Sequence, residues 1–254
     1  MTEMNSKLSV SIVSICIMCV FLVPIGPVNA ITPSVNLPST TVTIEVFSGY
    51  GSFFDTVLTN VPPGYDVTNK CYRGWCVDRR NTISFSPDTH QVNLYSSLYP
   101  PPGLGNEKWN MVNYILNHKQ GAAADIQQAM WYFVNLEDGY TPSRTTAKAI
   151  VNDTLANGAN FVPQVGQVLA IICYTMDTDS QITIIELFLS AGPRLPGDVN
   201  NDGTVDIYDA IVLATAFQTK PGKPNWNPDA DLNADLIIDI YDAITVAANY
   251  GKQA

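Results

Sequence analysis

Histidine is nearly absent from this chain, with 2 residues (His90 and His118) in 254. Two separated imidazoles give little basis for a zinc site, which usually gathers four His, Cys or carboxylate ligands. Basic residues are also scarce. Lys and Arg number 13 against 23 Asp and Glu, for a net charge of -10. A nucleic-acid partner wants a basic stripe and is excluded on this balance. Much of the acidity is gathered between Asp198 and Asp242, so it reads as a local device for cations. After the N-terminal segment no stretch is long and apolar enough to span a bilayer, and no C-terminal anchor signal follows. Cysteine is sparse as well. Of 5 in all, Cys16 and Cys19 sit in the N-terminal apolar run, leaving Cys71, Cys76 and Cys173. An odd set leaves at least one thiol outside any disulfide, and arithmetic alone keeps all three pairings open.

What is present begins with a leader. Lys7 precedes an apolar run from Leu8 to Val23, broken by Pro24, Gly26 and Pro27, and Val28-Asn29-Ala30 has the small residues of a cleavage site. Residues 1–30 are read as a secretory signal peptide, because the apolar run is shorter than the about 20 residues a span prefers. The mature chain is therefore expected to be secreted, either released or held at the cell surface by a partner, permissive of disulfides, and without a membrane span. Ile31 to Thr40, rich in Pro, Ser and Thr, reads as a linker. A second hinge, 191–196, holds a Gly and two prolines.

Between the hinges the pattern changes from strand to helix and back. Thr41 to Phe47 alternates in polarity, as a half-buried strand does. Phe53–Thr59, Cys71–Val77, Ile83–Phe85 and Gln91–Leu98 are further short strands or extended loop. Helical spacing then takes over in Asn106–Asn117, Ala122–Val134 and Thr145–Ala156. Ser143 or Thr141 is expected to cap the last of these, with Ala149, Ile150 and Leu155 facing inward. Gln167–Tyr174 and Gln181–Leu189 close as strands. The fold class expected is α+β: a mostly β domain over 41–190 with a helical insert, followed by a small all-α module of paired calcium loops over 197–251.

That module writes one pattern twice. Asp198, Asn200, Asp202, Asp206 and Asp209 recur as Asp231, Asn233, Asp235, Asp239 and Asp242. Oxygen donors at the first, third, fifth, ninth and twelfth positions of a loop suit calcium, with the carbonyls of Thr204 and Ile237 at the seventh. Gly203 stands where the first loop turns sharply. Leu236 stands at the equivalent place in the second, and a left-handed leucine costs about 1–2 kcal/mol, so the second of the two Ca2+ sites is expected to be the weaker. A short helix follows each loop, and a core this small needs its metal. The segment resembles the dockerin type I family, calcium-folded modules that plug extracellular proteins into cohesin domains of a scaffold. The resemblance implies a cohesin-like partner read by Ile207 and Tyr208 in one copy and Ile240 and Tyr241 in the other. The missing glycine at 236 and the Trp226-Asn227-Pro228 insert depart from the family pattern.

Cys71-Tyr-Arg-Gly-Trp-Cys76 and Gln127-Gln-Ala-Met-Trp131 form the second constellation. A cysteine after an aromatic residue, and a glutamine opening a Gln-x-Ala-Met-Trp helix, resemble the thioester domains of bacterial surface adhesins. The resemblance covers about Thr41 to Ser190 and implies an internal thioester between Cys76 and Gln127. Such a bond needs an apolar wall against water, expected from Trp75, Trp131 and Tyr132. An amine-bearing target would then be captured covalently, a single event instead of turnover. With Cys76 engaged, Cys71 and Cys173 would remain as a disulfide pair. The alternative is a non-covalent carbohydrate- or protein-binding scaffold component with disulfides only, its sugar platform drawn from Tyr95, Tyr99, Trp109 and Tyr114. A cysteine hydrolase pairing Cys76 with His90 or His118, oriented by Asp78 or Asp125, has no support in the spacing. Asn152-Asp-Thr154 is a glycosylation sequon.

Overall fold

The computed structural model describes residues 33–134, 139–177, 179–192 and 194–254. The signal-peptide expectation for 1–30 lies outside the described residues. From Thr32 onward the chain is one compact unit. No helix among the described residues is long and apolar enough to cross a membrane.

Six strands form a closed barrel. They are β1 (Val42–Ser48), β2 (Phe54–Thr59), β3 (Cys71–Cys76), β4 (Thr89–Ser96), β5 (Val168–Thr175) and β6 (Thr183–Phe188). Their order around the barrel is β1-β2-β3-β6-β5-β4, and every neighbouring pair is antiparallel. Closure leaves no open sheet edge. Because side chains alternate along a strand, each strand supplies both an inner and an outer layer. Val42, Ile44, Val46, Phe54, Leu58, Tyr72, Cys76, Leu169, Ile171, Cys173 and Ile185 belong to one buried cluster. Gly74 lies between Tyr72 and Cys76, where an added Cβ would strike Thr56 Oγ1 and lie 3.2 Å from Phe54 Cβ.

The outward residues are covered in two places. Three helices between β4 and β5, α1 (Trp109–Asn117), α2 (Ala123–Val134) and α3 (Thr145–Asn157), pack on Trp75, Val77, Ala170, Ile172 and Ile184. The C-terminal segment, with α4 (Ile207–Ala216) and α5 (Ile240–Asn249), covers Val57 and Cys71 with Val199, Val205, Leu213, Trp226 and Ile238. Leu195 of the expected hinge packs against this last cluster, and Val35 and Leu37 of the expected linker pack against the barrel.

Three expectations change here. The cap of α3 is neither Ser143 nor Thr141. Arg144 holds the N-cap position without a side-chain cap bond, and Gln128 of α2 accepts from the backbone N–H groups of Ser143 and Arg144 through Oε1. The buried face of α3 is Ala147, Ile150, Val151 and Thr154, and Leu155 is 50% exposed. The Cys71–Cys173 disulfide is also overturned, since Cys71, Cys76 and Cys173 are all free thiols. β6 separates β3 from β5, and Cys71 faces the C-terminal segment whereas Cys173 packs in the Ile171 cluster. Cys76 and Cys173 both pair with Thr183 from opposite sides. Two strand spacings of about 4.8 Å keep those two apart as well, beyond the roughly 7 Å Cα limit of a disulfide.

Candidate functional site

Cys76 ends β3 and Gln127 lies one turn into α2, and the fold brings them together although 51 residues separate them. Gln127 is fully buried and Cys76 is 1% exposed. The carboxamide is held at both ends. Cys76 N–H donates to Gln127 Oε1 at 2.9 Å, and Gln127 Nε2 donates to the Cys76 carbonyl at 2.7 Å. One turn further along α2, Trp131 Nε1 donates to Cys76 Sγ at 3.3 Å, and the thiol donates to the Asp78 carbonyl at 3.0 Å. Burial pushes the Cys76 thiol up to about 12, against the opposing pull of the Trp131 bond. This thiol is therefore not a ready thiolate.

The wall over the sulfur differs from the expected one. Trp75 precedes Cys76 on a strand and so points to the opposite face, where its Nε1 donates to Glu186 Oε1 at 2.7 Å. Tyr132 stands edge-on to Phe133 in the helix layer. Trp131 is flanked instead by the edges of Phe53 and Tyr140, each with ring centroids 5.8 Å away. The Arg79 guanidinium lies 4.0 Å from the Tyr140 ring centre and 5.7 Å from that of Trp131.

Neither histidine reaches Cys76. His90 contacts Ser84, and His118 stacks on Tyr114 at 4.0 Å. Asp125 is engaged by Arg144 at 2.5 Å, which holds its carboxyl below the usual range. Of the aromatic residues proposed as a sugar platform, Trp109 and Tyr114 are buried and Tyr99 is 67% exposed. They share no open face. The sequon asparagine is exposed, but its Thr154 is buried and bonded to the Ile150 carbonyl.

In the C-terminal segment Asp206 and Asp239 cap α4 and α5, each in a reciprocal capping box with Asp209 or Asp242. The two loops superpose in their bonding. Gly203 N–H donates to Asp198 at 3.0 Å, and Leu236 N–H donates to Asp231 at 3.1 Å. Their φ angles are 87° and 69°, so Leu236 does adopt the left-handed region that favours glycine. Leu236 is half-buried against the Val205 cluster, which offsets part of that strain.

The donors are right in kind for calcium. Asp209 and Asp242 are fully buried, and among the described residues neither has a cationic side chain beside it. Burial, with Asp242 and Asp235 nearby, pushes the Asp231 carboxyl up to about 6. Asp198, Asn200 and Asp202 are turned onto backbone N–H groups of their own loop, as are Asp231, Asn233 and Asp235 in theirs. Accordingly no metal-sized cluster of three or more His, Cys, Asp or Glu is drawn together among the described residues. Ile207, Tyr208, Ile240 and Tyr241 are 53%, 63%, 57% and 64% exposed, a near-symmetric pair of apolar faces.

Sequence reasoning missed one contact. The Trp226-Asn227-Pro228 insert seats the segment on the barrel. Trp226 is buried in the cluster that holds Cys71, and Arg73 of β3 donates to Asn227 at 2.7 Å and pairs with Asp229. Asp55 of β2 accepts from the Gly222 N–H at 3.0 Å. An Arg on the outer face of a strand and an Asp beside the insert were the available signal.

The dockerin type I domain model matches residues 196–249. Over these residues the chain is similar to the dockerin type I family. Calcium is the cofactor this match supports. No curated protein matches the chain. Among solved structures, the chain is similar to a type II cohesin-dockerin domain from Bacteroides cellolosolvens, 36% identical over 24% of this chain and 92% of that one, with a TM-score of 0.21. It is also similar to the N-terminal thioester domain of a surface protein from Clostridium perfringens. That match is 12% identical over 57% of this chain and 98% of that one, with a TM-score of 0.39. The N-terminal thioester domain of the fibronectin-binding protein SfbI from Streptococcus pyogenes is 13% identical over 62% and 98%, with a TM-score of 0.37.

Proposed function

We propose that the chain is an exported adhesion protein that captures an amine-bearing target through an internal Cys76–Gln127 thioester and is tethered by its calcium-loaded dockerin segment. The observation that carries this reading is the Gln127 carboxamide clamped on the Cys76 main chain with the Cys76 sulfur beneath Trp131.

The chemistry balances without a cofactor. Cys76 Sγ bonds to Gln127 Cδ, the Cδ–Nε2 bond breaks, and ammonia leaves with the thiol proton. The Cys76 N–H polarises the carbonyl through Oε1, as an oxyanion donor does. Trp131 Nε1 supports negative charge on sulfur during both formation and cleavage. Burial of Cys76 beside Trp131, which Phe53 and Tyr140 flank in turn, excludes the water that would hydrolyse the bond. A target amine then displaces Cys76 and leaves an amide on Gln127.

In this reading residues 1–30 are removed on export, 41–190 carry the capture chemistry and 197–251 the tether. Asp198, Asn200, Asp202, the Thr204 carbonyl, Asp206 and Asp209 would hold one Ca2+. Asp231, Asn233, Asp235, the Ile237 carbonyl, Asp239 and Asp242 would hold a second, more weakly. Bound calcium supplies the positive charge that the buried Asp209 and Asp242 lack. Ile207, Tyr208, Ile240 and Tyr241 would meet a cohesin-like scaffold protein, which aromatic and aliphatic anchors suit. Incubation with methylamine tests the capture step. One amine per chain should appear on Gln127 as one Cys76 thiol becomes titratable, and a protein that takes up no amine overturns the reading.

A further inference from the structure

The entrance to Cys76 carries a charge that the capture chemistry does not need. Cys76 is 1% exposed, so a target reaches it only when Trp131 moves aside. Arg79 is the outermost layer on that lid. It is exposed, and its guanidinium lies over Tyr140 at 4.0 Å and over Trp131 at 5.7 Å. Asp78 beside it is occupied, with Oδ1 accepting from Arg80 N–H and Oδ2 from Asn81 Nδ2. Asp125 and Arg144 pair with each other. Among the described residues Arg79 has no carboxylate within salt-bridge reach, so its guanidinium is open to an incoming anion, while the Asp78 carboxylate acts on Cys76 with the opposite sign.

We propose that Arg79 selects the target: the amine admitted to Cys76 and Gln127 is one carried beside an anionic group, such as a lysine flanked by Asp or Glu. This rests on the thioester reading and deepens it. An alkylammonium without such a neighbour has nothing to offer the Arg79 guanidinium. A carboxylate next to the amine forms a charge-assisted, two-pronged pair with the guanidinium, a stronger contact than an exposed aromatic face offers. Pairing draws Arg79 off Tyr140 and Trp131 and loosens the lid for the target that carries the anion. Attack then follows in balance. The neutral amine nitrogen bonds to Gln127 Cδ, the Cδ–Sγ bond breaks, and the amine proton passes to Cys76 sulfur.

The test compares two amines of similar length on the full chain, ε-aminocaproate with its carboxylate and cadaverine with its second ammonium. Adduct formation is followed by intact mass. At low ionic strength the wild type should favour ε-aminocaproate by about tenfold, and the preference should shrink as salt is added. Arg79→Gln should bring the ratio near one, and Arg79→Glu should invert it. Arg79 is exposed, so neither substitution removes core packing. Equal ratios in wild type and Arg79→Glu, with the ammonia deficit present, overturn the selection by Arg79 alone. A chain that retains its ammonia overturns the thioester reading together with it.

Discussion

At Cys76 the buried polar groups of the pair are met inside the protein, whereas the equally buried Asp209 and Asp242 meet only backbone N–H groups. The first site is complete without a ligand because a helix amide and a strand end satisfy each other. The second leaves two buried carboxylates with no cationic side chain beside them among the described residues, and buried charge is costly unless paired. Self-sufficiency suits a reactive bond that must wait, and incompleteness suits a module whose folding is conditional on its surroundings.

The largest effect should come from removing the carboxamide. Gln127→Ala strands the buried N–H and C=O of Cys76, at about 1–3 kcal/mol each, so urea melts should show a loss of several kcal/mol along with complete loss of amine capture. Chelation of calcium should come next. The helices α4 and α5 should lose far-UV circular dichroism, and the chain should regain about 2.7 kcal/mol or more of stability when calcium is restored to a hundred times its Kd. Because Val57 and Cys71 share a cluster with Trp226 and Ile238, and Arg73 pairs with Asp229, amides of β2 and β3 should also exchange faster without calcium. Unchanged barrel exchange would separate the two regions energetically.

Smaller effects sharpen the contrast within the calcium segment. Leu236→Gly relieves a left-handed leucine worth about 1–2 kcal/mol, so calorimetry should show loop two tightening by up to roughly tenfold with loop one unaltered. No change would mean that the packing of Leu236 against its cluster offsets the strain fully. The smallest effect is a pH dependence at the seam. Burial raises the Asp55 carboxyl to about 6, so between its unfolded value near 3.8 and about 6 the folded chain holds more proton than the unfolded one. Stability from this group therefore falls as pH rises through that window. Asp55→Asn, measured in calcium, should flatten the slope.

Local pattern made much of the fold legible. Alternation at Thr41 to Phe47 marks β1, and helical spacing in Ala122 to Val134 marks α2 within one residue of its start. Closure of the barrel was not legible, because the pairing of β1 with β4 and of β3 with β6 is non-local. The misplacement of Trp75 in the sulfur's wall was avoidable, since adjacent strand residues face opposite ways. The separation of Cys71 from Cys173 depends on β6 lying between their strands, which no local signal reports. The face of α3 misled because Leu155 is more apolar than Thr154, yet Thr154 is the buried residue of the two. The doubled ligands were plain in sequence. That the Trp226 insert docks onto β2 and β3 required the structure.

The central claim is the bond between Cys76 and Gln127. Intact mass of the secreted chain, before any amine is added, tests it most directly. The account predicts a mass one ammonia below that of the mature sequence with all cysteines reduced, and a Cys76→Ala chain that lacks the deficit. A wild-type chain at its full sequence mass contradicts the account.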